Sequence, residues 1–371
     1  MKAMGIIFSN IFESALEQLT SVRTLASLPF GSRYRLIDFT LSDMSNSGIY
    51  KVGIITKYNY RSLMDHLGNC SEWDLNRKNE GVVMLPPFAE GNTGVYKGKL
   101  EALYNASHFI AAPGYDYVVI CDSPVVCNID FRPAIEQHIR THSDVTTICT
   151  KEGPDAAGKR PMTMQLGEDN IVTNLRTDAE INPDYYTGMG MFIIGKDDLL
   201  KVLEEAHEIG VTHFEKDYMQ RKYTDDSIKI SAYIHEGTVL QNLDIKSYYR
   251  NNMMLLDKEV RDDLFKLDFP IYTKVHDEAP SYYVKGSEVE NSLIADGCLI
   301  KGRVEGSVLF REVTVEEGAN VSSSIIMQSA RIGKHAELRN VILDKDVTVG
   351  DYTVLIGTKE HPVIIPKGET V

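Results

Sequence analysis

The sequence predicts an α/β domain with a mostly parallel sheet and flanking helices, followed by a C-terminal left-handed parallel β-helix. Three observations predict it. Short apolar runs alternate with amphipathic helical stretches through roughly the first 260 residues. Apolar residues then recur at a fixed long period near the C-terminus. The length of 371 residues is also more than one ordinary core accommodates.

In the first region, Ala3–Phe8, Lys51–Thr56, Tyr117–Cys121, Asp144–Cys149 and Met189–Ile194 read as strands. Tyr34–Ser47, Lys99–Ile110, Ala134–His142 and Asp197–Glu208 read as helices between them. Apolar strands separated by amphipathic helices point to βαβ units and a sheet covered on both faces. Such sheets bind ligands beyond the carboxyl ends of their strands. The loops after Phe8 and Cys121 are therefore where chemistry is expected.

Leu264–Tyr283, with Pro270 and Pro280 and little periodicity, reads as a linker that packs along one of the domains. The expected spans are 1–260 for the α/β domain, 261–285 for the linker and 286–371 for the solenoid. In the last span Val304, Val321 and Leu338 are 17 apart. The same spacing holds for Val308, Ile325 and Ile342, for Leu309, Ile326 and Leu343, and for Val315, Ile332 and Val349. An earlier copy, Val289, Leu293 and Ile300, precedes these by 15. Three hexapeptide-like rungs of about 18 residues make one turn of a parallel β-helix. Ile325 and Ile342 are expected in the solenoid core.

Composition excludes several classes. Lys plus Arg is 39 against 53 for Asp plus Glu, a net charge of -14, which repels phosphate backbones and anionic lipid. Nucleic acid and membrane are therefore not expected partners. The N-terminal apolar run breaks at Ser9 and Asn10, too early for a signal peptide, and no run of about 18 apolar residues follows. Cys70, Cys121, Cys127, Cys149 and Cys298 show no CxxC spacing and read as buried reduced thiols of a cytoplasmic protein.

The most specific string is Leu28–Ile49, LPFGSRYRLIDFTLSDMSNSGI. It resembles the segment that follows the nucleotide loop in bacterial ADP-glucose pyrophosphorylases, nucleotidyltransferases that make the glucosyl donor for glycogen. That family's architecture is also an α/β domain plus a short β-helix. The resemblance implies a first loop GGxGTRLxPLT, whose glycines admit phosphates to backbone N–H groups and whose Arg neutralises departing pyrophosphate. Here the loop begins at Asn10 and has no glycine, Ala15 stands at the Arg, and Glu13 and Glu17 would repel a triphosphate. Leu19 and Thr20 match and set the register. Leu25 replaces the Lys of RAKPAVPFGGKYR.

The family's two Mg²⁺ carboxylates correspond to Pro124, in place of the Asp of GDHIYKxDY, and Asn242, in place of the Asp of RDVGT. On the sugar-phosphate side Asp178 stands at the Lys of FxEKP. Gly98, Glu101, Met189 and Gly190 fall where a vestigial nucleotide or sugar pocket is implied.

With the loop, the cation and both metal positions replaced, the resemblance implies no catalytic residue, no metal site and no cofactor of this chain's own. Mg²⁺ is expected only in a catalytic partner. The leading expectation is the non-catalytic D-type subunit of a hetero-oligomeric ADP-glucose pyrophosphorylase, self-associating and bound to a catalytic subunit. The alternatives are an active transferase with relocated ligands at Asp122, Asp130 or Asp244, an effector or sugar-nucleotide sensor, and a hexapeptide acyltransferase using His335 or His361. Asp244 is expected to cap a helix, and the two histidines to be exposed on the repeat.

Overall fold

A computed structural model of the chain describes residues 2–10, 15–87, 95–151 and 159–371. Contacts divide it into two compact units: one of residues 1–11, 40–58 and 68–239, the other of residues 12–39, 59–67 and 240–371.

The first unit is built on nine strands. They are β1 (Ala3–Phe8), β2 (Lys51–Ile55), β3 (Gly81–Leu85), β4 (Tyr117–Asp122), β5 (Val145–Thr150), β6 (Lys159–Leu166), β7 (Val172–Glu180), β8 (Tyr186–Gly195) and β9 (Ile230–Ile234). β3, β2, β1 and β4 lie side by side and parallel. β8 runs antiparallel to β4, β5 and β6, β9 is parallel to β5, and β7 turns back on β6. All strands but β7 and β8 therefore point the same way. The core explains the run pattern: Ile6, Val118, Ile120 and Phe192 have no exposed surface, as strands covered on both faces require.

The helices needed below are α1 (Leu36–Asn46), α2 (Lys99–Asn105), α3 (Phe131–Thr141), α4 (Lys196–Ile209) and α5 (Ile245–Met254). α1 starts two residues later than expected because Tyr34–Arg35 pairs with Pro29–Phe30 as a short hairpin. The expected helix Lys99–Ile110 is interrupted at Ala106, where a second turn, Ser107–Ile110, begins. All five cysteines are free and buried. No helix among the described residues is long and apolar enough to cross a membrane.

In the second unit three parallel five-stranded sheets form the faces of the left-handed β-helix. One column runs Val289, Val304, Val321, Leu338, Leu355, each paired with the next. The last step differs in length: Ile342 pairs with Ile364, 22 residues on, so the final strand of the fifth coil departs from period 17 while Leu355 keeps it. One corner is a serine ladder. The Oγ of Ser292, Ser307 and Ser324 accepts the backbone N–H of Ser307, Ser324 and Val341 in turn, at 3.0–3.1 Å.

The interior cluster includes Leu309, Ile326 and Leu343 with Val304, Val321, Leu338, Val315, Ile332 and Val349. Ile325 and Ile342 are not in it. Successive strand residues face opposite sides, so with Ile326 and Leu343 pointing inward these two face outward. They are nonetheless fully buried, which corrects the expectation that they sit in the solenoid core. On that side Tyr249 of α5 donates its hydroxyl to the Ser323 carbonyl and to Asn340 Oδ1. The stretch 265–281 has neither helix nor strand and packs within this unit, Phe265 stacking on Tyr34 at 5.1 Å and Lys274 donating to the Asp65 carbonyl.

Candidate functional site

The carboxyl ends of β1 and β4 are neighbours, Phe8 in register with Asp122. Directly beyond β1, Ser9 and Asn10 are tied to the end of β2 and the segment after it. Ser9 and Asn10 are buried. The Ser9 hydroxyl and backbone N–H both donate to the Ile55 carbonyl at the end of β2. Asn10 Oδ1 accepts the Lys57 backbone N–H at 2.9 Å, and its Nδ2 donates to the Tyr58 carbonyl at 3.3 Å. Where a glycine would leave backbone N–H groups free for phosphate, an asparagine side chain ties the loop's first residue to the segment after β2. Glu13 and the side chain of Glu17 lie outside the described residues. Ala15 is exposed, and Leu25 is fully buried in a 3₁₀ turn.

Beyond β4, Asp122 is 4% exposed and accepts from Lys99 Nζ at 2.8 Å. The same ammonium donates to Glu215, in the π-helical segment Phe214–Met219. Lys99 is the first residue of α2. Gly98 precedes it in extended conformation, and any side chain there would run into the Thr212 carbonyl. Leu100 N–H donates to that carbonyl at 2.9 Å, fixing the helix start against the segment that carries Glu215. Gly190 has φ +66, and a methyl group on it would lie 2.5 Å from Asp122 Oδ2. Only glycine allows β8 this close to the carboxylate.

Burial opposes the Lys99 charge, but Asp122 and Glu215 outweigh it and hold its pKa above the ordinary lysine value. Burial, against the pull of Lys99, raises the Asp122 carboxyl to about 6. Of the residues expected to line a pocket, Gly98 and Gly190 thus border this trio. Met189 is buried, and Glu101 accepts the Lys97 N–H. Asp178 is exposed on β7 with φ +51. Sequence reasoning missed Lys99 and Glu215; the available signal was a lysine opening a helix directly after Gly98.

At the two positions where the family resemblance implies metal carboxylates, the residues present do not fit a divalent metal. Pro124, in the turn after β4, is buried and offers no side-chain ligand atom. Asn242 is fully buried, its Nδ2 donating to the Leu240 carbonyl and its Oδ1 accepting from Asn251. Each alternative carboxylate is engaged. Asp130 caps α3 and pairs with Arg132, Asp244 caps α5 in a reciprocal box with Ser247, and Asp122 holds Lys99. Among the described residues no group of three His, Cys, Asp or Glu could hold a metal ion.

The family-like string is occupied with packing. Gly31 N–H donates to Asn252 Oδ1, Tyr248 donates to the Pro29 carbonyl, and Phe30 meets Phe39 edge-on at 5.9 Å. Asp38 accepts the Arg35 N–H and pairs with His66, while Arg35 donates to Ser62. His335 and His361 are both exposed, His335 stacked on Tyr352 at 5.1 Å.

A family model described as nucleotidyl transferase matches residues 14–238, and one described as GlmU-like, C-terminal hexapeptide matches residues 276–361. The chain is 33% identical over 374 residues to a glucose-1-phosphate adenylyltransferase of Bacillus thuringiensis (strain Al Hakam), covering 99% of each. Its identity to the enzymes of that name from Bacillus mycoides (strain KBAB4) and Bacillus anthracis is 33% and 32%, with the same coverage.

Proposed function

The chain belongs to the glucose-1-phosphate adenylyltransferase family, and from that starting point we propose that it is a non-catalytic, modulatory subunit. It pairs with a catalytic subunit of the same fold and tunes synthesis of ADP-glucose from ATP and glucose 1-phosphate for glycogen. The observation that carries this reading is the state of the two metal positions: the Pro124 side chain has no ligand atom, and the buried Asn242 amide donates to the Leu240 carbonyl and accepts from Asn251. Without a metal to bridge phosphate oxygens, the displacement lacks its principal source of charge stabilisation.

A chain that performs no chemistry acts through contacts. Binding that favours one conformation of the catalytic subunit shifts its population, and a coupling of about 1–3 kcal/mol changes an affinity roughly 5–150-fold. Mg²⁺ belongs to the catalytic partner, and the chain also self-associates.

The test is to purify the chain alone and mixed with a catalytic homologue, following mass by light scattering and ADP-glucose by product assay. A hetero-oligomer with raised turnover or altered effector response is expected. Full turnover by the chain alone, or a mixture whose mass and kinetics equal the sum of its parts, overturns the reading.

A further inference from the structure

We infer that the Lys99 ammonium is a built-in cation that holds the place of a divalent metal at the carboxyl edge of the sheet, closing a latent metal site formed by Asp122 and Glu215. Asp122 and Glu215 both lie within hydrogen-bonding reach of one nitrogen, and both side chains are largely buried, 6% and 19% exposed. Two carboxylates so placed in a poorly hydrated site require a positive charge between them. Lys99 supplies it, with its own side chain 11% exposed.

The cavity suits a cation beyond the two carboxylates. Phe8 and Phe192 present their rings to the ammonium, at 5.8 and 5.4 Å from the ring centres. Both rings are buried. The lysine leaves one ligand atom over. Asp122 Oδ1 is buried and has no hydrogen-bond partner among the described residues. A divalent ion held by one or two carboxylates and water would use that oxygen, whereas the ammonium contacts only Oδ2. The tether is rigid, because Gly98 and the Leu100–Thr212 hydrogen bond pin the first turn of α2. The ammonium and a metal ion cannot share the space, so the chain as it stands excludes the metal. This inference does not depend on the existence of a partner subunit.

The test uses Mn²⁺ as the probe, with free ion followed by electron paramagnetic resonance, on the full chain, on Lys99→Met, and on Lys99→Met/Asp122→Asn/Glu215→Gln. The unaltered chain should leave Mn²⁺ free. Lys99→Met should take up one ion about tenfold tighter or better, with a melting temperature that rises on adding Mn²⁺. The triple variant should lose the ion and regain the melting temperature of the unaltered chain.

If Lys99→Met fails to fold, the triple variant should still fold and Mn²⁺ should rescue the single variant. Three results overturn the inference: folded Lys99→Met binding no more Mn²⁺ than the unaltered chain, an unaltered chain whose Mn²⁺ binding is lost in Asp122→Asn, or a triple variant as unstable as the single one. All readouts are made on this chain alone, so they stand or fall apart from the mixing assay.

Discussion

Arg23 and Asp344 form a buried ion pair, Nη1 to Oδ1 at 2.8 Å, with side chains 3% and 0% exposed. It joins the segment 12–39 to the fourth coil of the solenoid inside one compact unit. Removing one member of such a pair strands the other charge, typically a loss of about 3–5 kcal/mol. Arg23→Met should therefore lower unfolding free energy by about that much, and Arg23→Met/Asp344→Leu should recover most of it. Urea denaturation of the three proteins decides this; a double variant no better than the single one would point to lost packing instead.

Pro124→Asp with Asn242→Asp should not restore turnover, because the loop start remains sealed by Asn10. Product formation is expected to stay below the roughly 1 per second at which ordinary enzymes begin. An active double variant would show that the loop is no barrier.

Asn10→Ala removes the acceptor of the Lys57 N–H and the donor to the Tyr58 carbonyl. Leaving such groups unsatisfied costs about 1–3 kcal/mol. Amide hydrogen exchange at Lys57 should accelerate, while exchange within β4 should follow only the global stability change.

Lys345 is held down to about 7 from the usual 10.5, first by burial, then by Arg35 and Arg23, with Asp344 opposing. For a lysine depressed on folding, the stability present above 10.5 is lost as pH falls toward 7. Lys345→Met should thus exceed the unaltered chain in melting temperature at about pH 7 and below, and the gap should close by about pH 10.5. A gap that does not vary with pH would mean the side chain is well solvated.

Ile325→Asp and Ile326→Asp should separate two kinds of burial. Ile326 belongs to the interior cluster, so its charge breaks the coil stacking and the β-sheet signal with it. Ile325 is buried on the outer side, so its charge should expel whatever covers that face while the coils persist. Circular dichroism and limited proteolysis around α5 distinguish them. Equal loss of sheet signal would contradict the inward–outward assignment.

The β-helix was legible because each coil repeats the same burial demand, and its columns fell where period 17 places them. The 22-residue last step hid only the final strand, Val363–Ile365, since the residues inserted before it do not repeat. β1 matched its apolar run, while β7, the edge strand with exposed residues along its length, gives no such run. At the site, sequence exposes what is missing, as at Pro124 and Asn242. It does not expose what has been joined across long separations. Lys99 meets Glu215, and Arg23 meets Asp344, through topology alone, with nothing local in either segment to announce the partner.

The contacts made by Leu28–Ile49 also bear on how such chains are counted. That string secures Pro29, Gly31 and Asp38 to α5 and to His66, so any chain that folds this way has reason to retain it, working or not. A census of glycogen-making capacity keyed to the string tallies scaffolds. On the modulatory reading proposed above, the residues that set this chain apart are those at positions 10, 99, 124 and 242.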